Sequence, residues 1–226
     1  MKTPQHMQQH FGGWPQLICF DLDGTLIDSV PDLATAIDMC LQEQGRQAAG
    51  EERVRQWVGF GASKLVIQAM EWADINNDLY EECYRTFIMT YQKNVTEKTV
   101  LFPHVMELLK ACKVNKVPLA LITNKPEIFV KPILEHFNLA EYFSWILGAE
   151  TLTEKKPSPL PLLHCAEAIE AKEEQCLMIG DSLTDHRAAR AAGFKSALVT
   201  YGYHQGIDFQ ELSADLILDD LVELLL

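Results

Sequence analysis

The sequence predicts an α/β protein: a Rossmann-like parallel sheet core with helices on both faces, carrying an inserted all-α block. Two observations point to the core. From about residue 98 onward, short apolar runs alternate with amphipathic helical stretches, the pattern of strands covered on both faces by crossover helices. The run "PQLICF" (residues 15–20) has the same buried-strand character although it lies far upstream. A third observation gives the insert: between these parts the spacing of apolar residues is helical, with no strand-like stretch.

Element by element, residues 1–13 are polar and rich in Gln and His, and a flexible N-terminal tail is expected there. His6 and His10 stand at i, i+4, but no acid or thiol accompanies them, so they are not taken as metal ligands. The core is expected over 14–29 and 98–226, and the helical cap over 30–97. Within the cap, "PDLATAIDMCLQEQG" has Pro early and Gly at its end, and "SKLVIQAMEWA" and "DLYEECYRTFIMTYQKN" are long amphipathic runs. Trp57 and Trp72 read as part of the cap's own packing. After "LFPHV" the chain reads helix "HVMELLKACKVN", strand "VPLALIT", helix "KPEIFVKPILEHF", strand "SWILGA", helix "PLPLLHCAEAIEA" and strand "QCLMIGD". Helix "TDHRAARAAG", strand "SALVTYG", strand "ADLILD" and helix "LVELLL" complete it. The simplest assembly is one core whose chain leaves after the first strand, builds the helical block and returns.

Bulk properties exclude several classes of function. The 226 residues carry a formal charge of −13, which argues against a nucleic-acid backbone as partner, because such proteins present a basic face. Six scattered cysteines form no C-x-x-C and no zinc-type pairing with histidine, and they read as reduced core thiols. With no apolar run of about 18 residues and no signal-peptide core at the N-terminus, a cytoplasmic protein with no membrane partner is expected, as a monomer or small homo-oligomer.

The polar residues fall at strand ends, where open parallel sheets bind their ligands. Asp21 and Asp23 end the first strand, Thr123 and Asn124 end "PLALIT", and Asp181 ends "CLMIG" with Asp185 four residues on. Lys156, in "EKKPSP", lies on the loop before the helix near Pro159. Taken singly, each has a plain reading as turn or helix-cap chemistry. Taken together, carboxylates that converge with so few basic residues need a cation among them, and an oxygen-loving ion such as Mg²⁺ fits carboxylates shared with a phosphate.

In order and on those strand ends, "DLDGT", "LITN", "KKPSP" and "GDSLTD" resemble the four motifs of the haloacid dehalogenase-like superfamily of phosphohydrolases. The insertion after the first motif is similar to that superfamily's helical cap. The resemblance implies that Asp21 is a nucleophile forming an aspartyl-phosphate and that Asp23 is the acid and base for leaving group and water. It further implies that Thr123, Asn124 and Lys156 hold the phosphoryl oxygens. Mg²⁺ is then held by Asp21, the carbonyl of Asp23 and Asp181, with Asp185 in support. Lys156 is preferred over Lys155 because it precedes Pro157. An acid at Asp23 favours a phosphate hydrolase or mutase over a dehalogenase.

The stretch "VGFGASK" (58–64) lacks the full spacing of a phosphate-binding loop and follows a helical stretch. A plain helix-to-helix turn is one reading. The other, raised by the resemblance, is a cap loop whose Gly59 and Gly61 approach a small phosphorylated metabolite. Three alternatives stay open: a phosphomutase or sugar-phosphate phosphatase, a phosphonate hydrolase using Lys64, and a non-catalytic binding protein on the same fold. His186 and His204 match no catalytic position; His186 reads as a surface or packing residue.

Overall fold

The computed structural model describes residues 3–226 apart from 205, 207 and 210. Its N-terminus corrects an expectation. Residues 5–11 form a helix, α1 (Gln5–Phe11), rather than a flexible tail. The polar composition conceals an i, i+4 apolar pair, Met7 and Phe11, and both are buried. The Gln5 N–H donates to the C-terminal Leu226 carbonyl at 2.6 Å, which closes the two chain ends on each other.

β1 (Leu17–Phe20) follows and is the middle of a six-stranded parallel sheet. β2 (Ile27–Asp28) pairs antiparallel with β3 (Val100–Leu101), so a two-stranded ribbon brackets the helical insert. These pairs were not foreseen, because two residues are too few to show a period. The insert comprises α2 (Val30–Glu43), α3 (Glu51–Arg55), α4 (Ala62–Trp72) and α5 (Tyr80–Asn94), the last preceded by one 3₁₀ turn. Buried Asp32 at the start of α2 accepts hydrogen bonds from the N–H groups of Lys98 and Thr99 and from the Thr99 hydroxyl. One carboxylate thus joins the outgoing chain to the returning one.

The remainder alternates helix and strand: α6 (Val105–Val114), β4 (Leu119–Ile122), α7 (Glu127–His136), β5 (Trp145–Leu147), α8 (Leu160–Glu167), β6 (Cys176–Gly180), α9 (Leu183–Ala192), β7 (Lys195–Val199) and β8 (Leu216–Leu218). Strand order is β5-β4-β1-β6-β7-β8. Strand alternation divides the core in two. Ile18 and Phe20 face a large cluster shared with α6, α7 and the insert, while Leu17 and Cys19 face a smaller one shared with α8 and α9. Helices therefore cover both faces, as the sequence predicts. β1 has β4 on one side and β6 on the other, so the order reverses beside it. Chain crossovers diverge there and leave a crevice at the carboxyl ends of β1, β4 and β6.

Candidate active site

Asp21 is the first residue beyond β1, and its N–H still donates to the Ile179 carbonyl at 2.9 Å, which holds the backbone in line with the strand. The chain then turns at Gly24, whose φ of +88° suits glycine. Space demands glycine there as well: a Cβ would lie 2.2 Å from Asp181 Oδ2. Asp181, at the end of β6, accepts from the Thr25 hydroxyl at 3.3 Å and from the Tyr203 N–H at 2.7 Å. Gly202 leaves the same clearance from the other side, since a Cβ on it would sit 2.3 Å from Asp181 Cβ.

Lys156 is 2 % exposed and lies between two of these acids. Its Nζ is 2.8 Å from Asp21 Oδ1 and 2.7 Å from Asp185 Oδ1. The neighbouring Lys155 is exposed and its Nζ points toward Gly61, so the lysine that the sequence selected is the one among the carboxylates. Asp185 belongs to α9, where Ser182 and Asp185 cap the helix reciprocally; its Oδ2 accepts from the Ser182 N–H at 3.0 Å and hydroxyl at 2.6 Å. Gly180 makes room for it, because a Cβ there would meet Asp185 Cγ at 2.3 Å.

Asp23 stands apart from this group. Its Oδ1 accepts from the Ser29 hydroxyl and from Lys125 Nζ at 2.8 Å, and Oδ2 lies 3.1 Å from the same ammonium. The third partner of Lys125 is the hydroxyl of Tyr91, on α5, at 2.6 Å. Thr123 lies just past β4, its N–H donating to Leu147 and its hydroxyl accepting from the Lys125 N–H. Asn124 reaches both ways, donating from Nδ2 to the Lys156 carbonyl at 2.9 Å and to the Gly59 carbonyl of the insert at 3.4 Å. Gly59 and Gly61 have φ of +129° and +92°, and Phe60 between them is exposed. Asp21, Asp23, Thr123, Asn124, Gly59 and Gly61 line one cavity, closed on the insert side by apolar residues such as Leu65 and Phe87. Lys156, Asp181 and Asp185 are not among the lining residues, and Lys156 reaches the cavity wall through Asp21.

Charge in the site is unbalanced. Asp21, Asp23, Asp181 and Asp185 share the ammonium groups of Lys125 and Lys156, which leaves an excess of two negative charges when all ionise. Burial pushes the Asp21 carboxyl up to about 7; Lys156 opposes this, and Asp185 adds to it. Asp181 is raised well above the usual carboxylate range by burial, with Asp185 and Asp21 contributing. Burial works against the Lys156 ammonium, yet Asp185 and Asp21 outweigh it and hold its pKa above the usual lysine value.

A divalent cation fits these residues. Oxygens of Asp21, Asp181 and Asp185 lie within 4.8 Å of one another, and the donors are all oxygen, as Mg²⁺ prefers. Asp21 Oδ1 is buried and, although paired with Lys156, accepts no directed hydrogen bond. Asp185 has both oxygens engaged, by Lys156 and by Ser182, which suits it better to support than to direct ligation.

The sequence pattern of the haloacid dehalogenase-like hydrolases matches residues 18–199, which contain this entire acid cluster. The chain belongs to that family. Among curated relatives, a phosphoglycolate phosphatase of Pseudomonas putida is 44% identical over 95% of this chain and 80% of its own length. One of Nitrosococcus oceani is 39% identical over 93% of this chain and 95% of its own. A solved Haemophilus somnus 129PT protein, described as a predicted phosphoglycolate phosphatase, superposes with a TM-score of 0.89 at 37% identity, covering 93% of this chain and 96% of its own.

For a haloacid dehalogenase-like hydrolase the sequence reading left out several residues that shape the site. Gly180 and Gly202 carry no chemistry, and their role is visible only once the acids are placed beside them. Lys125 did carry a signal, lying three residues past the end of β4, whereas Ser29 follows β2, which is too short to be read from the sequence. Tyr91 carried none, because nothing local links a helix position to a strand tip about thirty residues on. His186 is buried, its Nδ1 3.0 Å from the Ser196 hydroxyl, and burial lowers its pKa; it is a packing residue.

Proposed function

We propose that this hydrolase cleaves a small phosphomonoester by way of an aspartyl-phosphate, and that its substrate is 2-phosphoglycolate, released as glycolate and phosphate. The observation that carries the reaction type is the pair Asp21 and Asp23 on one cavity wall, only one of them in contact with Lys156. Two carboxylates with different neighbours suit two different tasks. The relatives named phosphoglycolate phosphatase, at 39–44% identity over nearly the whole chain, support the substrate.

In this reading Asp21 attacks phosphorus in line, and the bond to the leaving alkoxide breaks as Asp23 delivers a proton to that oxygen. Asp23 then takes a proton from a water that attacks the phosphorus of the aspartyl-phosphate, and Asp21 and phosphate are regenerated. Lys156 opposes the rise that burial causes in the Asp21 carboxyl and opposes the charge of the phosphoryl oxygens. The Thr123 hydroxyl and the Asn124 N–H donate to those oxygens. Asp21, the Asp23 carbonyl and Asp181 would hold Mg²⁺, with Asp185 behind them, and the ion would supply positive charge beside the phosphoryl group. The helices of residues 30–97 serve as a cap that closes on the substrate through Gly59 and Gly61 and excludes water.

Phosphate release by the purified protein, with Mg²⁺ and with EDTA, tests this over 2-phosphoglycolate, small sugar phosphates and phosphonoacetaldehyde. The expected result is Mg²⁺-dependent release, fastest on 2-phosphoglycolate and lowered by about 10⁴-fold or more in Asp21→Asn. Release spread evenly over sugar phosphates removes the substrate and keeps the chemistry; equal inertness of wild type and variant removes the chemistry.

A further inference from the structure

Resting on that reading, we propose that Lys125, oriented by Tyr91, binds the substrate's carboxylate and so selects phosphomonoesters that carry a second anionic group beside the phosphate. The cavity's wall toward the insert is apolar, formed by residues such as Val58, Leu65 and Phe87. A carboxylate buried against such a surface without a partner is strongly disfavoured. Among the described residues that line the cavity, Lys125 is the one cation. Lys156 does not line it and is taken by Asp21 and Asp185, Arg55 is occupied by Asp28 at 2.9 Å, and Lys155 is exposed with its Nζ near Gly61.

Position agrees with chemistry. Only an oxygen and a methylene separate phosphorus from the carboxyl carbon in 2-phosphoglycolate, so a substrate whose phosphoryl group meets Asp21 has its carboxylate close to Asp23. Lys125 Nζ lies 2.8 and 3.1 Å from the Asp23 oxygens. An incoming carboxylate competes with Asp23 for that ammonium. When it takes one of the two hydrogen bonds, Asp23 is less tightly held and can turn toward the leaving oxygen.

Tyr91 fixes where the ammonium points. Its hydroxyl accepts from Nζ at 2.6 Å, and its ring lies 4.7 Å from the same nitrogen. The ring is itself locked, edge-on to Phe129 at 4.7 Å and stacked with Phe87 at 5.7 Å. Tyr91 comes from α5 and Lys125 from the loop after β4, so the ammonium has all three of its contacts only when insert and sheet meet. Charge recognition is thereby tied to the closed arrangement, and a neutral ester lacks the group that would use it.

The test compares 2-phosphoglycolate with 2-hydroxyethyl phosphate, in which a hydroxymethyl group replaces the carboxylate. The measured quantity is the ratio of kcat/KM for the two esters. Lys125→Met is expected to lower this ratio by about 10- to 100-fold, the range set by one charge-assisted hydrogen bond, mainly through KM for 2-phosphoglycolate. Tyr91→Phe keeps the packing and is expected to lower it by about 3- to 10-fold. Lys131→Met, at an exposed position of α7 paired with Glu135, is expected to leave it unchanged. If Lys125→Met and Tyr91→Phe slow both esters in equal proportion, Lys125 serves only to place Asp23 and the proposal is wrong. Should Lys125→Met fail to fold, the ratio in Tyr91→Phe decides alone. A wild type that cleaves both esters equally well also overturns it while leaving the phosphatase chemistry standing, whereas a wild type inert on both overturns the parent reading.

Discussion

The two walls of the cavity are built on opposite terms. On the sheet side, buried carboxylates are spaced by glycines so tightly that a methyl group on Gly24, Gly180 or Gly202 would lie within 2.3 Å of an aspartate atom. On the insert side the wall is apolar, and its polar ties to the core among the described residues include Asn124 to Gly59, Lys125 to Tyr91, and Arg55 to Asp28. The sheet side is a charge cluster with no room to relax. The insert side is held by contacts that can be given up singly, and it is therefore the wall that opens at least cost. Rigid charge on one wall and separable contacts on the other suit a site that must keep its reacting groups fixed and still admit a ligand.

The sharpest way to break this comparison is to add one methyl group to the rigid wall. Gly180→Ala would place a Cβ 2.3 Å from Asp185 Cγ, and Asp185 cannot retreat without losing Lys156 and the Ser182 cap. A loss of about 100-fold in kcat is expected, together with about 1–3 kcal/mol of stability, the usual cost of overpacking a filled interior. Phosphate-release kinetics and urea unfolding measure the two effects. If both stay near wild type, the carboxylates have slack that the geometry denies.

How much of this was legible in the sequence follows from the same contrast. The sheet wall announces itself locally: Asp21, Asp23, Thr123, Lys156, Asp181 and Asp185 each lie next to an apolar strand, or on a loop before a helix, within a contiguous motif. Reading each strand end in order was enough to bring them together. Strands β4 to β7 and helices α6 to α9 were legible because each is long enough to show its period or is bounded by Gly, Pro or Asn, and β8 because its three apolar residues stand between aspartates. The ribbon β2–β3 was too short to show one, and α1 hid two buried apolar residues in a polar stretch. The insert wall was legible only as helices. Which helix face meets the sheet depends on how the block docks, so Tyr91 and its pairing with Lys125 emerge from tertiary structure alone.

A medium effect separates charge from packing within the rigid wall. Because burial lifts the Asp21 carboxyl from its ordinary 3.8 to about 7, the folded metal-free protein holds that proton more tightly than the unfolded chain does. Stability from this group is therefore greatest below about pH 4 and declines as pH rises toward about 7, where the folded carboxyl ionises. Asp21→Asn removes the decline. In EDTA, the variant is expected to exceed wild type by about 1–3 kcal/mol more at about pH 8 than at about pH 5. Urea midpoints at the two pH values give this difference directly. Added Mg²⁺ is expected to narrow it by stabilising the wild type. Midpoints that shift in parallel for the two proteins would mean that the strain in this wall is steric and not electrostatic.

The smallest effect belongs to the separable wall. Arg55 of α3 pairs with Asp28 of β2 at 2.9 Å and lies over the Tyr203 ring at 5.1 Å, but its side chain is 35 % exposed. Solvent screens a pair at that exposure, so Arg55→Ala is expected to cost less than about 1 kcal/mol, and less again at high salt. Urea unfolding at low and at high salt measures it. A salt-independent loss of about 2 kcal/mol or more would show that Arg55 packs the insert onto the sheet as firmly as the glycines pack the acids. The insert would then be a fixed wall, and ligand entry would have to follow another route than the parting of insert and sheet.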